Sequence, residues 1–253
     1  MLHPINRLHG YVIEATDGEV GKVDEFYFDD TRWAVRYVVV DTGTWLSGKR
    51  SLLPPGALSK PDLTRRVLPV SLTRSQVEES PDIDTDKPIT RRHEEELRRH
   101  FGWSTYWYAD PMLGDPSFPS GPLGMSPAVT AGMARDPQED GQGDPHLESA
   151  RDIIGYAIEA VGGEIGHVED LVVDDQNWVV RYVVASTREW LPGKRVLIAP
   201  EWVEKLDWDK ARVDVALHRE FVQGSPSYDA SVPITREDEA RLYAHYGKKG
   251  YWI

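Results

Sequence analysis

His93 and His100 stand seven residues apart, a spacing that puts both on one face of a helix and could offer two ligands to a metal ion. His100 recurs in the same local setting as His245, but Asp238 stands at the second position of His93, and no third ligand is apparent. A histidine near the end of a helix is also favoured by the helix dipole, so no metal is expected. The segment Trp45-Leu46-x-Gly48-Lys49-Arg50 and its twin Trp190-Leu191-x-Gly193-Lys194-Arg195 bring together an aromatic, a hinge-like glycine and two cations. Aromatic and cationic side chains dominate binding hot spots, so Trp45, Lys49, Arg50, Trp190, Lys194 and Arg195 are the partner-binding candidates. The plainer alternative is a tryptophan plug with cations that keep a strand entrance soluble.

Glu14, Glu19, Glu159 and Glu164 could be carboxylates for acid–base work. Their alternation with apolar residues reads as the solvated face of a hairpin instead. Asp29-Asp30 and Asp174-Asp175 read as turn formers, without the repeated oxygen-ligand spacing of a calcium loop. No Ser-His-Asp order, phosphate loop or zinc motif stands out, so no catalytic residue and no cofactor is expected.

The elements that carry these residues occur twice. At an offset of 145, residues 10–108 align without a gap to 155–253, with 44 of 99 pairs identical. Trp33-x-Val35-Arg36-Tyr37-Val38-Val39 recurs as Trp178-x-Val180-Arg181-Tyr182-Val183-Val184, and Pro88-Ile89-Thr90-Arg91 as Pro233-Ile234-Thr235-Arg236. The organisation expected is a first module over 1–108, a Pro-, Gly- and Asp-rich flexible linker over 109–150, and a second module over 151–253.

Within a copy the apolar period is mostly two. Strands are expected at Tyr11–Ala15, Val20–Phe28, Trp33–Val40, Arg50–Pro54 and Val67–Leu72, with a helical turn at Thr73–Glu79. Thr90 and Thr235 can N-cap a C-terminal helix that ends at Gly102 or Gly247. This pattern predicts a mainly β chain of two small antiparallel β-barrels, each with a short C-terminal helix and an aromatic tail. If Asp30-Thr31 close the second hairpin, Arg36 falls opposite Glu25 and Arg181 opposite Asp170. The face around that ion pair is apolar and needs cover. The second copy is the nearest candidate, which makes Val23, Tyr27, Arg36, Val38, Val168, Arg181 and Val183 the expected interface of a pseudo-two-fold pair.

Composition narrows the function classes. Nine Trp and eleven Tyr among 253 residues suit packed cores, while a net charge of -13 argues against nucleic-acid binding. By segment the charge is about -2, -6 and -5, concentrated in the linker. The absence of cysteine, of a signal-like N-terminus and of a long apolar run fits a cytoplasmic protein without stable membrane insertion.

Each copy resembles the PRC-barrel domain, the module of the cytoplasmic part of the photosynthetic reaction-centre H subunit and of the C-terminal half of a ribosome maturation factor. The resemblance rests on Val23-Asp24-Glu25-Phe26, Arg36-Tyr37-Val38-Val39-Val40, Gly48-Lys49-Arg50-x-Leu52-Leu53-Pro54 and Leu72-Thr73-Arg74-Ser75-Gln76-Val77-Glu78, and on their second-copy counterparts. The tail Pro-Ile-Thr-Arg…Tyr-Trp is similar to soluble bacterial reaction-centre-H-like proteins. The resemblance implies a barrel that binds other macromolecules without catalysis. The reading is a non-enzymatic cytoplasmic scaffold or adaptor for protein partners, with self-association between the repeats. The alternative is a small-ligand or metal-sensing module that uses the cleft between the barrels.

Overall fold

The computed structural model describes residues 1–43, 49–81, 89–102, 146–187 and 194–252. They form two sheets with short helices. In the first copy, β1 (Leu2–Pro4) and α1 (Ile5–Leu8) precede β2 (Val12–Ala15), β3 (Gly18–Asp29), β4 (Ala34–Asp41), β5 (Arg50–Leu53), β6 (Val67–Pro69), α2 (Arg74–Glu78) and α3 (Arg91–Phe101). The second copy runs β7 (Leu147–Ser149), β8 (Ala157–Val161), β9 (Gly163–Asp174), β10 (Val180–Ser186), β11 (Arg195–Ile198), β12 (Val203–Asp207), β13 (Arg212–His218), α4 (Arg219–Gly224) and α5 (Arg236–His245). No helix among the described residues is long and apolar enough to cross a membrane.

The sheet orders β5-β4-β3-β2-β6 and β11-β10-β9-β8-β13-β12 are open paths, so hydrogen bonds do not close either sheet into a barrel. Nor are the sheets purely antiparallel, because β2 pairs with β6, and β8 with β13, in parallel. A parallel neighbour needs a long crossover, and β3, β4 and β5 lie between β2 and β6 in the chain.

The second hairpin departs from its expected register for a local reason. Asp29 pairs with Ala34, so four residues close the loop instead of two. Asp29 Oδ1 accepts hydrogen bonds from Thr31 N and Arg32 N at 3.0 and 2.9 Å. Trp33 then takes a left-handed backbone, φ 53°, and Trp178 repeats it at 55°. Two register shifts follow, at Val23/Glu25 and Tyr27/Phe28, the second leaving Arg36 as the extra residue. Each shift exchanges faces. Tyr27, Tyr37 and Val39 therefore share a cluster with Leu52, Ile89 and Leu97 of α3, while Val23, Phe26, Phe28, Val38 and Val40 face the main core. The second apolar face of β3 and β4 is covered by Ile89 and Leu97 of its own copy and by Leu147 of the second.

The joint between the copies is an exchange of strands. The N-terminal strand of the first copy, β1, lies on β9, with Leu2 opposite Asp174 and Pro4 opposite Val172. The equivalent strand of the second copy, β7, lies on β3, with Leu147 opposite Asp29 and Ser149 opposite Tyr27. At the centre, Val35 N donates to Trp178 O at 2.8 Å and Val180 N donates to Trp33 O at 2.7 Å. Every contact in this set recurs on adding 145 and swapping partners. β7 falls inside the range that composition assigned to the linker, so the ordered second copy begins earlier than expected. The main hydrophobic cluster runs through both copies without a break.

The close approach of β9 to β10 depends on Gly166, where a Cβ would stand 1.9 Å from Ser186 O on a backbone with φ of 129°. Gly166→Ala should lose about 3 kcal/mol in urea unfolding, whereas Gly56→Ala, at an open position, should be near neutral.

Candidate functional site

The cations of the expected partner-binding segment are engaged inside the fold. Lys49 Nζ donates to the Glu78 carbonyl at 2.6 Å and also to Ser80 O, and Lys194 Nζ donates to Gln223 O at 2.6 Å. Each lysine therefore caps the carbonyl end of the short helix α2 or α4. Arg50 Nε approaches Asp24 Oδ2 at 3.5 Å, and Arg195 Nε donates to Glu169 Oε1 at 2.7 Å. Trp45 and Trp190 lie outside the described residues, as does the tail Tyr106-Trp107-Tyr108.

Arg36 and Arg181 do not meet Glu25 and Asp170, because the register places neither pair opposite. Arg36 Nη2 donates to the buried Glu94 of α3, and Tyr37 Oη donates to the same oxygen at 2.9 Å. In the second copy, Tyr182 and Tyr251 donate to Glu239 Oε1 at 2.7 and 2.8 Å. Arg181 there lies over the Tyr251 ring, 4.1 Å from its centre. This repeated polar cluster fastens the C-terminal helix, and in the second copy the aromatic tail, to the sheet. Of the expected interface set, Val23, Val38, Val168 and Val183 are buried in the cluster shared by both copies, while Tyr27 lies in the smaller one under α3.

The histidines pair within the fold as well. His100 Nε2 is 2.8 Å from Gln76 O, and His245 Nε2 is 2.7 Å from Phe221 O, so each ties its helix to the preceding short one. No three His, Cys, Asp or Glu side chains converge on a metal position among the described residues. Glu14 faces Glu19, and Glu159 faces Glu164, across the first hairpins, with Arg65 Nη2 donating to Glu14 at 2.7 Å.

The feature that sequence reasoning missed is where the second aspartate of each turn goes. Asp30 accepts from Trp208 Nε1 of the other copy at 2.8 Å and lies 3.0 Å from His146 Nδ1. Asp175, its counterpart, lies 2.9 Å from the buried His3 Nε2. Phe26 stacks on Trp178 at 6.2 Å, again across the joint. Phe26 also lines a cleft of about 220 Å³ walled by both copies.

The cleft has an apolar wall of Ile5, Phe26, Ala150, Ile154 and Leu171, and a polar wall of Asn6, His9, Asp24, Glu25, Arg151 and Asp170. Glu25 and Asp170 are equivalent positions in the repeat. Burial raises the Glu25 carboxyl, although Ser149 Oγ donates to it and Arg151 lies 4.0 Å away. Burial pushes the Asp170 carboxyl up to about 6, against hydrogen bonds from the main-chain amides of Asn6 and Leu171. Two carboxylates whose charge burial disfavours thus lie beside apolar surface at the joint between the copies, which makes this cleft the candidate site.

The folded pKa of Asp170 lies above its ordinary 3.8, so its contribution to stability is full below about pH 4 and is lost as pH rises through about 6. Asp170→Asn should remove that loss. In urea unfolding from pH 4 to 7 the variant should gain about 2 kcal/mol relative to wild type.

A family model for the PRC-barrel domain matches residues 8–76 and again 145–216, together more than half of the chain. No curated protein matches it. Each matched stretch covers most strands of one copy but not its C-terminal helix, and the second begins beside the exchanged strand β7. The chain belongs to the PRC-barrel domain family, as a tandem member with two such domains.

Proposed function

We propose that the protein is a non-enzymatic ligand-responsive module, and that its site is the cleft between the two PRC domains. The observation that carries this reading is the convergence of Glu25, Asp170, Asp24 and Arg151 beside an apolar wall supplied by both copies. A ligand there touches α1, β3 and β9 together with the chain just after β7, so its binding energy couples directly to how the copies are joined. The internal engagement of Lys49, Lys194, Arg50 and Arg195 weakens the alternative of a basic docking loop. Each domain is read as a curled, barrel-like sheet, and the pair as a pseudo-two-fold unit working in the cytoplasm.

An adaptor role for a protein partner is the second reading, and a difference between the copies favours it. Val161 and Phe221 are 50% and 56% exposed, and His218, opposite Val161 in the strand register, has its ring 6.1 Å from Phe221. The first copy carries polar Thr16, Thr73 and Gln76 at these three positions.

Thermal-shift screening of a fragment set, with Ile154→Trp as the blocked cleft, tests the first reading. Stabilising fragments that lose their effect in the variant are expected. A screen without hits, or with hits indifferent to Ile154→Trp, would remove the cleft as the site.

A further inference from the structure

The two halves of the cleft are equivalent in the repeat but not in charge. On the first-copy side, Glu25, the equivalent of Asp170, lies 4.0 Å from Arg151 Nη1, and its neighbour Asp24 is met by Arg151 Nη2 at 3.3 Å, by Arg50 Nε at 3.5 Å and by His9 Nε2 at 3.9 Å. On the second-copy side, the position equivalent to Arg151 is Asn6, a neutral residue. Its side-chain amide donates to Glu169 O at 3.3 Å, and its main-chain N donates to Asp170 Oδ1 at 3.2 Å. Leu171 N donates to the same Oδ1 at 2.8 Å. No ion pair reaches Asp170 among the described residues, and its charged neighbour Glu169, already paired with Arg195, adds repulsion. With Asn6 where the other copy has Arg151, Asp170 lacks the arginine that lies beside its equivalent, Glu25.

We propose that the cleft binds a small organic cation, with an ammonium group on the Asp170 carboxylate and a short apolar body against Ile5, Phe26, Ile154 and Leu171. The inference rests on the ligand-binding reading above and names the class of ligand. Three observations select that class. Asp170 is a buried carboxylate met by the main-chain amides of Ile5, Asn6 and Leu171 and by no cation among the described residues, which suits an N–H donor bearing positive charge. Three ligating side chains do not converge among the described residues, so the chemistry is that of a hydrogen-bonding cation rather than a coordinated metal. The volume of about 220 Å³ corresponds to roughly seven waters, so the ligand carries a similar number of heavy atoms.

The test is a titration of the full chain at pH 7.5 by two-dimensional amide NMR, with n-butylammonium, 1-butanol and butyrate as matched probes. The expected result is that butylammonium shifts the Asn6, Ile154 and Leu171 amides with at least tenfold higher affinity than the other two. Asp170→Asn should bring it down to the butanol level. Equal affinity of butanol or butyrate in wild type would overturn the cationic class and leave the cleft as a binding site. The cationic class is overturned in the same way if no probe binds while fragments still stabilise the chain through the cleft. Failure of the probes and the fragment screen together would overturn both. The comparison among probes uses wild-type protein and so stands even if the variant folds poorly.

Discussion

Each twelve-residue strand, β3 and β9, is longer than the neighbour that its own copy supplies along one edge. On β3, β2 covers Gly18–Lys22, and the chain before β2 turns away into α1. The amides and carbonyls farther along would be left unpaired beside a hydrophobic core, which costs free energy and invites aggregation. The remaining edge, Tyr27–Asp29, is paired by β7, and the matching edge of β9 is paired by β1. Each copy therefore completes the other's sheet. The Trp33 and Trp178 turns then meet at the centre, where their left-handed backbones direct one carbonyl each to Val180 and Val35. Non-glycine residues in that region are strained, and reciprocal hydrogen bonds together with buried indole rings hold them there.

The cleft follows from the exchange. The chain leaves each exchanged strand at Pro4 or Ser149 and crosses the joint, carrying Asn6 or Arg151 to the carboxylates of the facing strand. The exchanged strands are alike in both copies but the side chains that follow them differ, so Arg151 lies beside Glu25 whereas Asn6 stands at the equivalent position beside Asp170. On the outer surface the copies also differ, with Thr16 and Gln76 in the first where the second has exposed Val161 and Phe221.

Much of this was legible in the sequence. The repeat was readable because 145 residues separate whole blocks, and the helix caps because Thr90 and Thr235 accept from the third amide of their helices. The β3–β4 register was not, because nothing in Asp29-Asp30-Thr31-Arg32-Trp33 distinguishes a two-residue from a four-residue loop. Once Trp33 takes a left-handed backbone, the pairing moves and Arg36 turns to Glu94 instead of Glu25. The parallel pairing of β2 with β6 was hidden because apolar alternation is the same in either direction. The exchanged strands were hidden because Leu2–Pro4 and Leu147–Ser149 are three residues each and show no period. The cleft depends on both, so its residues could not be assembled from motifs. Lys49 and Lys194 stand out in the sequence as a repeated pair, and their work is to hold helix ends.

The central claim is that exchanged strands, rather than the segment between the copies, make the two PRC domains one unit. A protease site placed within residues 109–144 and cleaved in the folded protein tests it, with the mass of the product measured by light scattering after size exclusion. The account predicts that the two fragments elute together at the mass of the intact chain under native conditions and separate only on unfolding. Fragments that elute apart with native secondary structure would contradict it.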